Sequence, residues 1–180
     1  TTDGTIEPLV VSVDRAAVTP GNVRLQIVHA APAAPMVDIY VTAPGDDIEV
    51  EQPLATASFK DSTGQVEVAG GDYQIRITAA GSKTVVFDSG TVNLPADADL
   101  LVAATQNTGT GTSPVTLLVA DGTSSFKIWD VNSKANVRVV HAVSDAPAVD
   151  IIANNALTLF DGISYPDVTA YVAVAAGDYT

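Results

Sequence analysis

The chain has no cysteine, only two histidines, one tryptophan and one methionine, and its 8 lysines and arginines face 21 aspartates and glutamates. Lack of cysteine excludes disulfides, Cys-ligated zinc and thiol nucleophiles together. With so few bases, the net charge is −13. Such a surface repels phosphate backbones and anionic headgroups, so the composition argues against nucleic-acid and membrane-surface partners. No apolar run approaches the roughly 18–20 residues of a membrane span, which excludes direct helical insertion by this segment. An i, i+3, i+4 apolar stripe also never persists for the roughly 11 residues of an average helix. What is present is apolar: 47% of the 180 residues are hydrophobic and 16% charged, a composition that folds rather than staying disordered. The first residue is Thr1, which reads as a trimmed or mature extracytoplasmic segment.

Internal repetition organises the rest. Residues 29–40 read His29-Ala-Ala-Pro-Ala-Ala-Pro35-Met-Val-Asp38-Ile-Tyr40, and residues 141–152 read His141-Ala-Val-Ser-Asp-Ala-Pro147-Ala-Val-Asp150-Ile-Ile152. The copies align without a gap at a spacing of 112 (141 − 29). A second match, Ala-Gly-Gly71-Asp-Tyr73 with Ala-Ala-Gly177-Asp-Tyr179, is spaced by 106 (179 − 73). The difference of six residues (112 − 106) places an insertion between the two matches, and the acidic loop at 44–53 is its natural site. Repetition of this kind signals an array of one structural unit.

Short alternating runs fill the chain between Gly, Pro, Asn and Asp turns. Leu25, Ile27 and His29 share one parity and Arg24 and Gln26 the other, the period-2 pattern of a half-buried strand. Val37, Ile39 and Val41 alternate with Asp38 and Tyr40. Residues 84–88 and 91–94 read as two strands split by Asp88-Ser-Gly90, and residues 126–131 as a strand in the junction. The expected fold is all-β: tandem antiparallel β-sandwich modules of immunoglobulin-like type, one complete and one partial. Residues 1–22 form a strand like the last strand of a preceding module plus a linker, because residues 8–14 resemble residues 114–121. Residues 23–121 are the complete module, 122–134 the linker, and 135–180 the first half of a second module. A half-sandwich leaves strand edges unpaired. The expectation is that the chain is cut from a longer protein or completed by a neighbour's strands, with Ile6, Leu9, Val11 and Val13 as the strand-donating residues.

The phrase Val137-Arg-Val-Val-His141-Ala-Val-Ser-Asp-Ala-Pro147-Ala-Val-Asp150, followed by Ala175-Ala-Gly177-Asp-Tyr179, resembles a bacterial and archaeal family of secreted, often tandem β-domains known as a domain of unknown function, DUF4397. Its hallmark is an Arg-Val-x-His-Ala-Ser-Pro-Asp-Ala-Pro-x-Val-Asp-Val phrase and a later Ala/Pro-Gly-x-Tyr turn, and the resemblance extends over nearly the whole chain. The first copy departs in having Gln26 in place of Arg138 and Ala33 in place of Asp145, while Val143 and Ser144 replace Ser-Pro in the second. The resemblance implies a secreted or envelope-attached sandwich and brings no catalytic residues with it.

The chemistry-bearing residues each have two readings. His29 and His141, with Asp38 and Asp150 nine residues on, could form a metal or general-base site. Strand parity instead turns the histidines inward and the aspartates outward, which suits a histidine hydrogen-bonded to carbonyls of the turns at Pro35 and Pro147. Tyr73 and Tyr179 follow Gly-Asp turns, as in a tyrosine corner, with ligand stacking as the alternative. Gly71 and Gly177 supply a positive φ or a close approach. Asp46, Asp47, Glu49 and Glu51, and Asp97 with Asp99, are calcium candidates, although neither set has the spacing of a calcium loop; otherwise no cofactor is expected. Trp129 lies in the junction. No nucleophile elbow, phosphate loop or His-Glu-x-x-His motif occurs.

The sequence therefore points away from an enzyme. It points to an extracellular structural, matrix, filament or adhesion component, secreted or attached to the cell surface, whose partners are other copies of itself or cell-surface polymers. The alternative is a carbohydrate- or surface-polymer-binding module using loops at one sandwich end.

Overall fold

A computed structural model describes residues 8–13 and 16–180. The described residues divide into two compact units, one of those up to 108 with 112–131 and the other of 109–111 with 132–180. No helix occurs among the described residues, so none is long and apolar enough to cross a membrane.

The first unit contains β1 (Asn22–Ala30), β2 (Val37–Thr42), β3 (Ala55–Ala57), β4 (Val66–Ala69), β5 (Gly71–Ala79), β6 (Val85–Leu94), β7 (Asp99–Gln106), β8 (Val115–Ala120) and β9 (Ser125–Ile128). They form one five-stranded sheet, β4-β1-β7-β8-β9, and one four-stranded sheet, β3-β2-β5-β6. Leu25 and Ile27 of β1, Leu100 and Val102 of β7 and Leu117 of β8 share one buried cluster with Ile39, Ile75, Ile77 and Phe87 of the other sheet. That layering is consistent with a β-sandwich, in which alternate residues of both sheets meet between the layers.

Three features depart from the sequence expectation. The five-stranded sheet is mixed rather than purely antiparallel, because β1 and β7 run parallel, with Leu25 opposite Leu100 and Ile27 opposite Val102. Between them the chain crosses to the other sheet and returns, the long connection that parallel neighbours require. Next, residues 84–94 give one strand, not two. Gly90, at φ +61, introduces a bulge, and the Ser89 hydroxyl accepts from the Ile75 N–H where the ladder shifts register. Finally, β1 is buried on both faces. Arg24 on its outer parity pairs with Asp99, and the Gln26 amide donates to the carbonyls of Ser12 and Thr63.

Residues 8–13, expected to form a strand, carry none; Leu9, Val10 and Val13 are exposed and Val11 is half-buried. Ile6 lies outside the described residues. The expected linker is also shorter, since β9 pairs with β8 as the edge of the five-stranded sheet.

The turn between β4 and β5 sets an approach that only glycine permits. A Cβ on Gly70 would lie 2.7 Å from the Ala96 Cα, and the Gly70 N–H donates to the Gly21 carbonyl. Gly70→Ala is expected to cost about 1–3 kcal/mol, because backbone and not a flexible side chain must yield. A lowered urea midpoint would show it.

The second unit contains β10 (Lys134–Val137), β11 (Val149–Ala153), β12 (Leu157–Ile163) and β13 (Val172–Ala175). They form two antiparallel pairs, β10-β13 and β11-β12. The pairing reproduces that of the first four strands. Asn22 opposite Ala69 and Val23 opposite Val68 become Lys134 opposite Ala175 and Ala135 opposite Val174, shifted by 112 on one strand and 106 on the other. Val37 opposite Ala57 becomes Val149 opposite Ile163 with the same two offsets. The six extra residues of the first copy therefore lie in the β2–β3 connection.

Candidate functional site

The repeated hairpin is built by a strand that ends on histidine, a Pro/Ala turn, and a return strand carrying Val-Asp-Ile. His29 is 1% exposed. Its Nε2 lies 3.0 Å from the Pro35 carbonyl oxygen, and a carbonyl can only accept, so Nε2 is the nitrogen that donates. Nδ1 faces the Ala31 N–H at 3.4 Å. The ring also meets Phe59 edge-on, with centroids 6.4 Å apart. His141 repeats the bond: its Nε2 lies 3.2 Å from the Pro147 carbonyl oxygen. Both ring nitrogens of His29 are thus directed at backbone within its own turn.

The strand end that carries each histidine is clamped by a repeated Ser-x-x-Asp turn that sequence reading missed. Ser58 N–H donates to the Asp61 carboxylate, and the Asp61 carbonyl accepts from the His29 N–H. Ser164, Asp167 and His141 make the same two bonds. The signal was available: Ser58-Phe-Lys-Asp61 and Ser164-Tyr-Pro-Asp167 stand 106 residues apart, the offset already set by the Gly-Asp-Tyr matches.

Asp38 lies on the face of β2 turned away from the core, as parity places it, but that face is not exposed. Asp38 is buried, taking the Thr56 hydroxyl on Oδ1 and the Gly81 N–H on Oδ2. The loop preceding β3 and the turn after β5 close over this face, so parity alone does not expose it. Tyr40, on the same face, is also buried, with the Lys83 ammonium 4.6 Å from its ring centroid while that ammonium donates to the Glu51 carbonyl. Asp150 is exposed, in agreement with parity, and accepts from the Gly162 N–H. Neither aspartate is hydrogen-bonded to its histidine.

Asp150 and Asp161 are neighbouring carboxylates. The Gly162 N–H and a hydrogen bond with Asp161 hold Asp150 below the usual carboxylate range. The bond to Asp150 and its negative charge push Asp161 up. A carboxyl raised in the folded state weakens folding above its folded pKa, and that penalty is relieved as pH falls toward the unfolded value near 4. Asp161→Asn is therefore expected to raise the melting temperature at neutral pH, with the gain fading below about pH 4; calorimetry across pH 3–7 reads this directly. Asp121 shifts the other way. N–H and hydroxyl donors of Ser124 and Thr123 hold it far below the usual range, pinning the turn between β8 and β9.

Tyr73 and Tyr179 each return a hydroxyl to backbone four residues earlier, to the carbonyls of Ala69 and Ala175, both at 2.8 Å. Gly71 and Gly177 take φ values of +154 and +157, with open space around them; the close approach falls on Gly70. In the acidic loop the Asp46 carboxylate accepts from the Ala43 N–H and that of Asp47 from the Glu49 N–H. Asp97 accepts from the Gly21 N–H, and Asp99 pairs with Arg24. Glu49 is exposed and Glu51 half-buried, and among the described residues no three His, Asp or Glu side chains converge as a metal's ligands. Trp129 is half exposed, with the Lys127 ammonium 5.1 Å from its ring centroid.

A cavity of about 300 Å³ opens between β6 and β9, lined by apolar side chains including Ile75, Val92, Leu100 and Phe126. Neither histidine borders it.

No curated protein matches the chain. Residues 135–180, which hold His141, Pro147, Asp150, Gly177 and Tyr179, match the model of a family described as a domain of unknown function, DUF4397.

Proposed function

We propose that this chain is a non-enzymatic, extracellular assembly component made of tandem immunoglobulin-like β-modules, whose partners are other copies of itself. The observation that carries the reading is the repeated hairpin. Its histidine Nε2 atoms are directed at proline carbonyls, and Asp38 is occupied by Thr56 and Gly81. General-base chemistry needs a histidine nitrogen or carboxylate within reach of a substrate proton; both nitrogens of His29 and the carboxylate of Asp38 are taken up in holding turns together, and the His141 Nδ1, which has no hydrogen-bond partner among the described residues, is buried. The equal register of the two copies supports a repeated building unit, and modules in series space and connect what they join. The excess of acids suits an exterior where salt screens self-repulsion.

Sedimentation velocity from micromolar to millimolar protein, at low and high salt, tests the reading alongside a glycan array with and without calcium. Self-association that grows with concentration and salt, without saturable glycan binding, is expected. A chain that stays monomeric and binds one glycan saturably, with loss of binding on mutating a single loop, would instead establish the polymer-binding module.

A further inference from the structure

The edge strands β6 and β9 of the first unit lie on the same side of the sandwich, one in each sheet. The chain that follows β9 ties them together: the Val131 N–H donates to the Asp88 carbonyl, and the Asp88 N–H donates to the Asp130 carboxylate. Farther along, between Val92–Leu94 of β6 and Phe126–Ile128 of β9, the cavity of about 300 Å³ opens.

The ladder between β8 and β9 shows that this cavity belongs to the interior. Phe126 stands opposite Val119 and Ile128 opposite Leu117, and directly opposed residues share a face of the sheet. Val119 and Leu117 are each 1% exposed and belong to the core. Phe126, on that same inner face, is 53% exposed. An aromatic turned inward is ordinarily closed off by the facing sheet; here the cavity takes that place. Protein interiors carry few voids larger than a water molecule. An apolar cavity of about 150 Å³ already takes benzene, and roughly 300 Å³ reaches the lower bound of small-molecule pockets.

The lining fixes the class of ligand. Ile75, Val92, Leu100 and Ile128 present hydrocarbon, and the polar residues are Asn93 and Asp121. The Asp121 carboxylate already accepts from the N–H and hydroxyl groups of Thr123 and Ser124. Among the described residues that line the cavity none is a lysine, arginine or histidine. An acidic ligand therefore finds no counter-charge there, beside a carboxylate and in a chain of net charge −13.

We infer that the first unit binds an uncharged, apolar molecule the size of a fused bicyclic ring between β6 and β9, where it covers Phe126. This site goes beyond the assembly role and holds whether or not the chain self-associates.

Indole tests the site, with indole-3-carboxylate as the anion of the same rings. Binding is read from the methyl resonances of Ile75, Val92, Leu100 and Ile128 in the intact chain. Saturable shifts with indole at a Kd of about 1 mM or tighter are expected, with the carboxylate at least about 10-fold weaker. Val92→Phe fills the cavity and is expected to weaken indole binding at least about 10-fold without lowering the melting temperature. Phe126→Ala, at a half-exposed position that the core does not use, weakens it from the opposite wall. Absence of saturable shifts at these methyls, equal affinity for the two compounds, or undiminished binding by both variants would overturn the proposal. Shifts at the same methyls that grow with protein concentration and need no indole would also overturn it, because they would give the cavity to a side chain of a second copy.

Discussion

His29→Ala is expected to lower the stability of the first unit by about 3 kcal/mol, because a fully buried ring is replaced by a void and the Pro35 carbonyl loses its donor. With a urea slope near 1–3 kcal/mol per molar, the unfolding midpoint falls by roughly 1–3 M. Trp129 belongs to the first unit, so its fluorescence is expected to follow the change. His29→Phe separates the two contributions, since it restores volume and not the hydrogen bond. The equivalent His141→Ala is expected to cost less, about 1–2 kcal/mol, because its surroundings are more open. A His29→Ala protein with an unchanged midpoint would remove the structural role assigned to the ring.

The second large effect separates residues that look equivalent in sequence. Asp38→Ala strips partners from the Thr56 hydroxyl and the Gly81 N–H beneath a closed surface, at an expected cost on the order of 2–4 kcal/mol. Asp150→Ala removes a carboxylate that is exposed and close to Asp161, so two like charges no longer face each other. Its expected effect is within about 0.5 kcal/mol of zero, as at ordinary surface positions. Equal losses from the two substitutions would mean that the loop over Asp38 does not shield it in solution.

These two residues mark how far the sequence carries. The histidine hairpins, the tyrosine returns and the six-residue insertion were legible because each follows from alternation or from aligning a copy with its repeat. Asp38 was not. Parity assigns a side chain to a face, but whether that face is covered depends on chain far from it, here the loop before Thr56 and the turn at Gly81. The parallel contact of β1 with β7 was hidden for a related reason: period-2 alternation describes a strand's two faces and says nothing of which strand lies at its edge. Residues 8–13 alternate as well as β7 does, yet form no strand, because strand structure also requires a neighbour to complete its hydrogen bonds.

The unequal connections between β2 and β3 and between β11 and β12 have a practical consequence. Six residues are present in one and absent from the other, while the Val37–Ala57 and Val149–Ile163 pairs on either side keep the same relation. The shorter connection turns through Asn154 and Asn155, both at positive φ, and ends where the Ala156 N–H meets the Ala153 carbonyl. Chain length at this tip is thus independent of the framework below it. A tag, epitope or fluorophore grafted between Asn154 and Asn155 would mark the second unit while leaving the β11–β12 ladder paired, at the cost of the bonds that join Asn154 to Thr180.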